Sequence, residues 1–158
     1  MASPAWAAET ASKIRHVVVV IQENHSFDSY FGRYCRAKTG SNPACKTGPE
    51  CCEAGPDHDP GTGIAPTLLS DEQNAGYDPN HSQGCELVEI DGGKMDRFVN
   101  NPECGNPSNF AYADATSAAG YWAMARDGAL ADRYFQPIAG ASSSNNMYFA
   151  RAQYVFTD

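Results

Sequence analysis

Two short segments carry side chains that could do chemistry together. In the first, Glu23 and Asn24 follow five consecutive apolar residues and offer the carboxylate and amide oxygens that hard divalent cations prefer. In the second, three serines at positions 142–144 lie in a turn of small residues, ahead of a stretch that suits a helix. A hydroxyl at a helix N-terminus lies among free backbone N–H groups that stabilise phosphate, and a metal can make it a nucleophile. The residues alone also allow simpler interpretations, a polar turn in the first case and a helix-capping cluster in the second.

The elements around these segments predict that the two meet at one edge of a sheet. Val17–Ile21 is an unbroken run of β-branched residues, which is typical of a strand buried on both faces of a parallel sheet. Leu130–Phe135 is predicted to be a strand or an extended segment that leads to the serine turn. Because ligands bind beyond the carboxyl ends of parallel strands, we expect Glu23 and Asn24 to point into one cavity within reach of the serines.

Helix signals accompany the two predicted strands. A short helix capped by Asn24 or Ser26 is predicted to end at Gly32, and a longer one over residues 114–128 to end at Gly128. The sequence also predicts a helix over residues 143–153, a helical turn over residues 67–73 and a flexible or partly helical lead-in over residues 1–14. Helices interspersed with strands indicate an α/β fold.

Length and charge exclude several classes of protein. The chain has 158 residues, which is enough for one domain with a sizeable core. Its formal charge of −8 and pI near 4.8 argue against a nucleic-acid partner bound through a basic patch. No apolar run reaches the ~18 residues that a transmembrane segment needs.

Six cysteines fall in one loop-rich stretch. An even number of cysteines among Gly, Pro and Asn residues predicts a disulfide framework, and therefore a secreted or periplasmic protein. A zinc site formed by Cys51, Cys52 and His58 is the alternative, but no C-x-x-C pair occurs and adjacent cysteines are poorly spaced as tetrahedral ligands. The sequence leaves the pairing open among Cys35, Cys45, Cys51, Cys52, Cys85 and Cys104.

Three groups of residues resemble, in the same order, signature segments of the bacterial phosphoesterase family. Glu23–Asp28 with Phe31 and Gly32 resembles E-N-R-S-F-D-x-x-F-G, with His25 in place of the usual Arg. The other two groups resemble H-S followed by N-G-G-K-M-D-G-F, and Y-Y-W-A followed by L-A-D-R-Y-F. In this chain they are His81-Ser82 with Asp91–Phe98, and Tyr121-Trp122 with Ala131–Phe135. The family contains phosphatidylcholine-type phospholipases C and certain acid phosphatases.

The resemblance implies roles for residues in both chemical segments. The Glu-Asn pair of the family signature ligates an active-site metal, which implies that Glu23 and Asn24 bind one divalent ion, with Ca, Mg or Mn favoured and Zn possible. The family turn G-P-[ST]-x-P-N-R carries the nucleophile that is transiently phosphorylated. Alignment of Gly140 and Asn145 with this turn implies that Ser142 is the nucleophile and a metal ligand, and that Asn145 binds substrate.

The resemblance also implies a fold and a reaction. The fold would be the N-terminal half of an alkaline-phosphatase-like, three-layer α/β domain, with a long irregular disulfide-rich insertion at residues 34–110. The reaction would be metal-dependent hydrolysis of a phospholipid or a small phosphomonoester, with His81 as a catalytic contact to the phosphate or the leaving group.

Part of the family site has no counterpart in this sequence. The family takes two adjacent aspartates and a histidine, which complete its metal site, from a later part of a longer chain. We therefore expect residues 1–158 to be a single, incomplete catalytic domain that is nearly inactive alone and needs the missing C-terminal part of the same protein. The alternatives are a non-catalytic truncated relative and a secreted disulfide-rich binding module.

Overall fold

The computed structural model describes residues 13–156, and the lead-in predicted for residues 1–14 lies almost entirely outside them. The described chain consists of short elements joined by irregular loops. In chain order the helices and strands are α1 Phe27–Phe31, β1 Thr67–Leu69, α2 Asp71–Ala75, α3 Gln83–Ile90, β2 Ala111–Ala113, α4 Ala119–Asp127 and α5 Ser142–Arg151, with 3₁₀ turns at Pro49–Cys51, Asp91–Gly93 and Pro107–Asn109. Within residues 13–156, no helix has the length and apolar character to cross a membrane.

A two-stranded parallel sheet makes the fold mixed α/β, as the sequence predicts at this coarse level. β1 and β2 pair in the register Thr67 to Ala111, with α2 and α3 in the crossover connection that parallel strands require. α1 packs on β2, where Tyr112 is buried. Gly55 permits this packing, because a Cβ atom there would lie only 2.6 Å from the Tyr112 hydroxyl oxygen.

A small aromatic core joins α1 to α4. Tyr34, Cys35 and Cys52 form its buried centre, and the ring of Trp122 packs against them. The Trp122 indole N–H donates to the backbone carbonyl of Tyr30 at 2.7 Å, so its polar atom is satisfied inside the core. The core thus fixes α1, and with it the start of the segment that carries Glu23 and Asn24.

Three disulfides confirm the predicted framework. They join Cys35 to Cys52, Cys45 to Cys51 and Cys85 to Cys104. The first two close irregular loops, and the third ties α3 to the loop ahead of β2. The zinc interpretation is wrong, because Cys51 and Cys52 both lack the thiolates that would bind the metal.

The prediction of a buried strand at Val17–Ile21 is wrong. This segment is irregular and exposed, from 84% at Val18 to 48% at Ile21. A buried parallel strand needs neighbouring strands beside it and helices over both faces. The only sheet among residues 13–156, formed by β1 and β2, does not include this segment.

Helix ends with strong local signals are where the sequence places them. α1 follows Ser26, whose hydroxyl accepts the Ser29 N–H, and is followed by Gly32. α4 is followed by Gly128, as predicted, but it begins later than expected. The helix starts later because the Asp114 carboxylate accepts the Ser117 N–H, and this bond forms a separate turn ahead of α4.

Elements without such signals differ more from the prediction. Residues 67–73 contain β1 and the start of α2 instead of one helical turn, because a Ser70 capping box starts α2 only after the strand. Residues 130–135 contain no strand. Residues 34–66 are irregular apart from one short 3₁₀ turn and an isolated bridge, as expected. The helix predicted over residues 143–153 is confirmed as α5.

Candidate functional site

Glu23 lies against the helix that carries the predicted nucleophile. The side-chain amide of Asn146 donates to the Glu23 carboxylate at 2.6 Å, across 123 residues of sequence. Residues four apart on a helix lie on the same face. Asn146 therefore lies on the same face of α5 as Ser142, one turn closer to the C-terminus. The bond therefore brings the predicted metal ligand Glu23 to α5, one turn beyond Ser142.

Asn24 occupies a left-handed backbone conformation, with φ of 70°, which Asn tolerates better than most residues. Its side-chain N–H donates to the Asp78 carboxylate at 2.8 Å. This bond engages the nitrogen of the amide, and the carbonyl oxygen is the atom of the group that can bind a cation. The role of Asn24 as a metal ligand stays a prediction.

Asp78 also links Asn24 to His81. The second oxygen of the Asp78 carboxylate lies 3.9 Å from His81 Nε2, while the first accepts from Asn24. The Asp78 carboxylate, 54 residues from Asn24 in sequence, thus lies beside residues of two segments that the sequence predicts to be functional. Sequence analysis missed Asp78, because residues 78–81 form no helix on which residues three apart would be neighbours, and no other local signal marks this acid.

An open cavity of about 370 Å³ lies beside Glu23 and has mainly aromatic walls. Asn24 and Ser142 are not among its lining residues, so this cavity does not bring together the two predicted metal ligands, and a cavity shared by Glu23 and Asn24 stays a prediction. The left-handed turn at Asn24 directs its amide to Asp78 instead. The cavity is lined by Gln22, Glu23, His25, Ser26, Phe27, Tyr30, Phe31 and Tyr121.

Three aromatic rings lie next to one another along one wall of this cavity. The centroids of His25 and Tyr30 lie 4.8 Å apart, and those of Tyr30 and Tyr121 lie 4.2 Å apart. Burial and a hydrogen bond with Tyr121 raise the pKa of Tyr30 to about 12, so its hydroxyl stays neutral. His25, which stands where the family usually has Arg, is also hydrogen-bonded to the Asn74 amide. The wall can therefore receive an organic group by stacking.

The serines of the second segment have different environments. Ser144 is fully buried and donates to the backbone carbonyl of Ala141 at 2.7 Å, whereas Ser143 is exposed. Ser142 is half-buried at the first position of α5. Ala141, the residue before this helix, provides no side-chain cap. Of the three hydroxyls, Ser142 combines partial exposure with the helix N-terminus.

Asn145, the predicted substrate-binding residue, is buried and holds the turn ahead of α5. Its amide nitrogen donates to the carbonyl of Ile138 at 3.0 Å and to that of Gly140 at 3.4 Å. Its oxygen accepts the Ile138 N–H at 3.3 Å. These bonds give Asn145 a clear role in shaping the turn, and its contact with substrate stays a prediction.

One further cluster has the composition of a metal site but not its chemistry. Cys85, Cys104 and Glu89 have ligand atoms within 4.8 Å of one another. The two cysteines are joined in a disulfide, so they offer no thiolate to a metal. Burial, followed by the charge of Glu86, raises the pKa of Glu89 to about 7. Glu89 is thus a carboxyl that titrates near neutrality, not one of three metal ligands.

The sequence matches a known protein family. The sequence model described as the Phosphoesterase family matches residues 14–155, nearly the whole chain. Neither curated proteins nor solved structures give a match.

Proposed function

The chain belongs to the phosphoesterase family, and from this we propose that it supplies Glu23, Asn24 and Ser142 to a metal-dependent site that hydrolyses phosphate esters. One observation carries this proposal. The bond between Asn146 and Glu23 joins the signature segment to the helix that begins at Ser142, one turn beyond that residue.

The donor atoms suit a hard divalent cation. Glu23 offers a carboxylate, Asn24 an amide oxygen and Ser142 a hydroxyl, and these are the oxygen ligands that Ca²⁺, Mg²⁺ and Mn²⁺ favour. All three side chains have some exposure to solvent, so they are accessible to an ion. When bound, the ion would lower the pKa of the hydroxyl and neutralise charge that develops on the phosphoryl group.

Ser142 is proposed to attack the phosphorus atom. Its Oγ gives up its proton to solvent and forms a bond to phosphorus while the bond to the leaving oxygen breaks. Water then releases the phosphoryl group from the serine, as phosphate from a monoester or as a phosphomonoester from a phospholipid. The first backbone N–H groups of α5 would stabilise the negative charge of the phosphoryl oxygens. His81, held near Asp78, would contact the phosphate or give a proton to the leaving oxygen.

The aromatic cavity beside Glu23 would take the organic part of the ester. Its volume of about 370 Å³ suits a small alcohol group or the head of a phospholipid. Both substrate classes therefore remain within the proposal, and the family match supports phosphate-ester hydrolysis in general.

Further polypeptide is proposed to complete the site and the sheet. Two protein ligands and the nucleophile supply three of the ~6 oxygens that such ions usually bind. Val17–Ile21 has the composition of a central strand, yet it is exposed along its length. A C-terminal part that pairs with this run would complete an alkaline-phosphatase-like domain, with residues 34–110 as an insertion in it. The three disulfides support a secreted or periplasmic location.

Hydrolysis of a chromogenic phosphate ester tests this function. The isolated chain, the chain joined to its downstream polypeptide, and Ser142→Ala in both would be compared, with EDTA and with metal restored. We expect activity only with the downstream polypeptide, lost in Ser142→Ala and in EDTA, whereas the adjacent Ser143→Ala keeps it. Activity that survives Ser142→Ala would overturn the nucleophile, and no activity in any form would favour a non-catalytic relative or a binding module.

A further inference from the structure

Helix α3 holds the turn that leads into the predicted nucleophile. The backbone N–H of Gly140 donates to the Glu86 carboxylate at 2.6 Å, across 54 residues of sequence. The Gln83 side-chain amide donates to the adjacent carbonyl of Ala139 at 3.2 Å. Both contacts come from one turn of α3 and reach the two residues that precede Ala141 and Ser142.

Helix α3 is itself firmly placed. Ser82 caps its N-terminus, and the Cys85–Cys104 disulfide ties it to the loop ahead of β2. Cys85, the residue before Glu86, is only 1% exposed. The Glu86 carboxylate therefore projects from a fixed helix, and it can hold a flexible turn at a defined position.

The backbone conformation of Gly140 has to be restrained by its surroundings. Its φ of 138° lies in a region that side-chain-bearing residues rarely adopt, and a free glycine has many alternative conformations. A short hydrogen bond to an ionised acceptor is about twice as strong as a neutral one. Glu86 thus selects one orientation of the Gly140 peptide, and that orientation sets where α5 begins.

We infer that Glu86 is a positioning residue for the nucleophile. Through the Gly140 N–H it fixes the turn at residues 138–141 and so places the Ser142 hydroxyl. This inference rests on the proposed role of Ser142, although the contact between Glu86 and Gly140 does not depend on that role. Glu86 itself touches neither substrate nor metal in this account.

The first readout is the Gly140 amide, followed by ¹⁵N NMR in the isolated chain. We expect a downfield Gly140 proton that moves upfield partly in Glu86→Gln, which keeps a neutral acceptor, and fully in Glu86→Ala. Amide exchange at Gly140 should accelerate about tenfold in Glu86→Ala, as expected for the loss of one hydrogen bond. A Gly140 resonance that does not change in either variant would overturn the inference.

The second readout is hydrolysis of a chromogenic phosphate ester by the chain joined to its downstream polypeptide. Misplacement of a reacting group by ~1 Å can cost about 100-fold in rate, so we expect kcat to fall ~10–100-fold in Glu86→Ala with KM nearly unchanged. Glu86→Gln should recover part of that loss, and Glu72→Gln, an exposed carboxylate on α2, is the matched control. If Glu86→Ala does not fold, the inference is tested with Glu86→Gln alone, by the Gly140 amide resonance and by kcat.

The outcomes separate this inference from the proposed function. Activity that depends on Ser142 but is unaffected by Glu86→Ala would overturn the inference and leave the function standing. Activity that is indifferent to Ser142→Ala would overturn the function, and with it the role of Glu86, even if the Gly140 resonance shifts.

Discussion

The side-chain amide of Asn146 lies 2.6 Å from the carboxylate of Glu23, although 123 residues separate them. Glu23 belongs to the segment that resembles the family signature, and Asn146 lies one turn beyond Ser142 on α5. One hydrogen bond therefore connects a proposed metal ligand to the helix that carries the proposed nucleophile.

Glu23→Gln should weaken metal binding while it keeps the bond to Asn146. The amide oxygen of Gln can still accept from Asn146, but the ligand loses its negative charge. We expect Mn²⁺ affinity to fall at least about tenfold by calorimetric titration of the chain with its downstream polypeptide. Glu72→Gln changes the net charge equally and should bind as the wild type does. Equal Mn²⁺ affinity in the wild type, Glu23→Gln and Glu72→Gln would show that Glu23 is not a metal ligand.

Asp78→Ala should impair the site without removing a proposed metal ligand. Asp78 orients the Asn24 amide and lies near His81, and loss of such a supporting partner typically costs ~10–100-fold in metal affinity or activity. Asp71→Ala, at an exposed position in α2, is the control. Metal titration and ester hydrolysis that are unchanged in Asp78→Ala would show that Asn24 needs no support from this carboxylate.

Ser142→Ala should affect activity, whereas Ser144→Ala should affect stability. Ser144 is buried and donates to Ala141, so its replacement should lower the free energy of unfolding by about 1 kcal/mol and affect activity only indirectly. Ser142→Ala should abolish hydrolysis and leave urea unfolding nearly unchanged. If Ser144→Ala instead abolished turnover at full stability, the nucleophile would be misassigned by two residues.

The stability of the protein should fall as the pH rises through the titration of Glu89. Its pKa is about 7 in the folded state against an ordinary 4.5, because of burial and then the charge of Glu86. Between these values the folded protein keeps a proton that the unfolded chain releases, so the free energy of unfolding decreases from about pH 4.5 to 7.

Glu89→Gln removes this titration and should therefore stabilise the protein at pH 8 but not at pH 4. Since Glu89 is only half-buried, we expect a gain of ~1–2 kcal/mol after allowance for solvent screening. Urea unfolding at the two pH values measures the difference. A gain of the same size at both would mean that Glu89 has no raised pKa.

Removal of the Cys35–Cys52 disulfide should cost more stability than removal of Cys45–Cys51. The first closes the longer loop, with a sequence separation of 17 against 6, and lies in the aromatic core. Replacement of both cysteines by serine should lower the free energy of unfolding by about 3 kcal/mol for the first pair and less for the second. Losses in the reverse order, by urea unfolding, would show that the core does not depend on the Cys35–Cys52 bond.

The sequence by itself determined the features whose causes are local. Ser26 caps α1 with its own side chain, and Gly128 follows α4, because both residues satisfy helix ends without distant partners. The disulfide framework was predictable because a loop-rich stretch with six cysteines lacks the apolar residues to hold itself together. The signature at Glu23–Asp28 likewise identified the family, which the match over residues 14–155 bears out.

The tertiary structure alone decided which residues meet. Val17–Ile21 has every local property of a buried strand, yet it is exposed, because a strand forms only where other strands offer hydrogen bonds and cover. Asp78 and Glu86 carry no local signal of function, and their contacts with Asn24 and Gly140 each span 54 residues. Such contacts depend on how α3 and the loops cross in space, and no spacing along the chain encodes that.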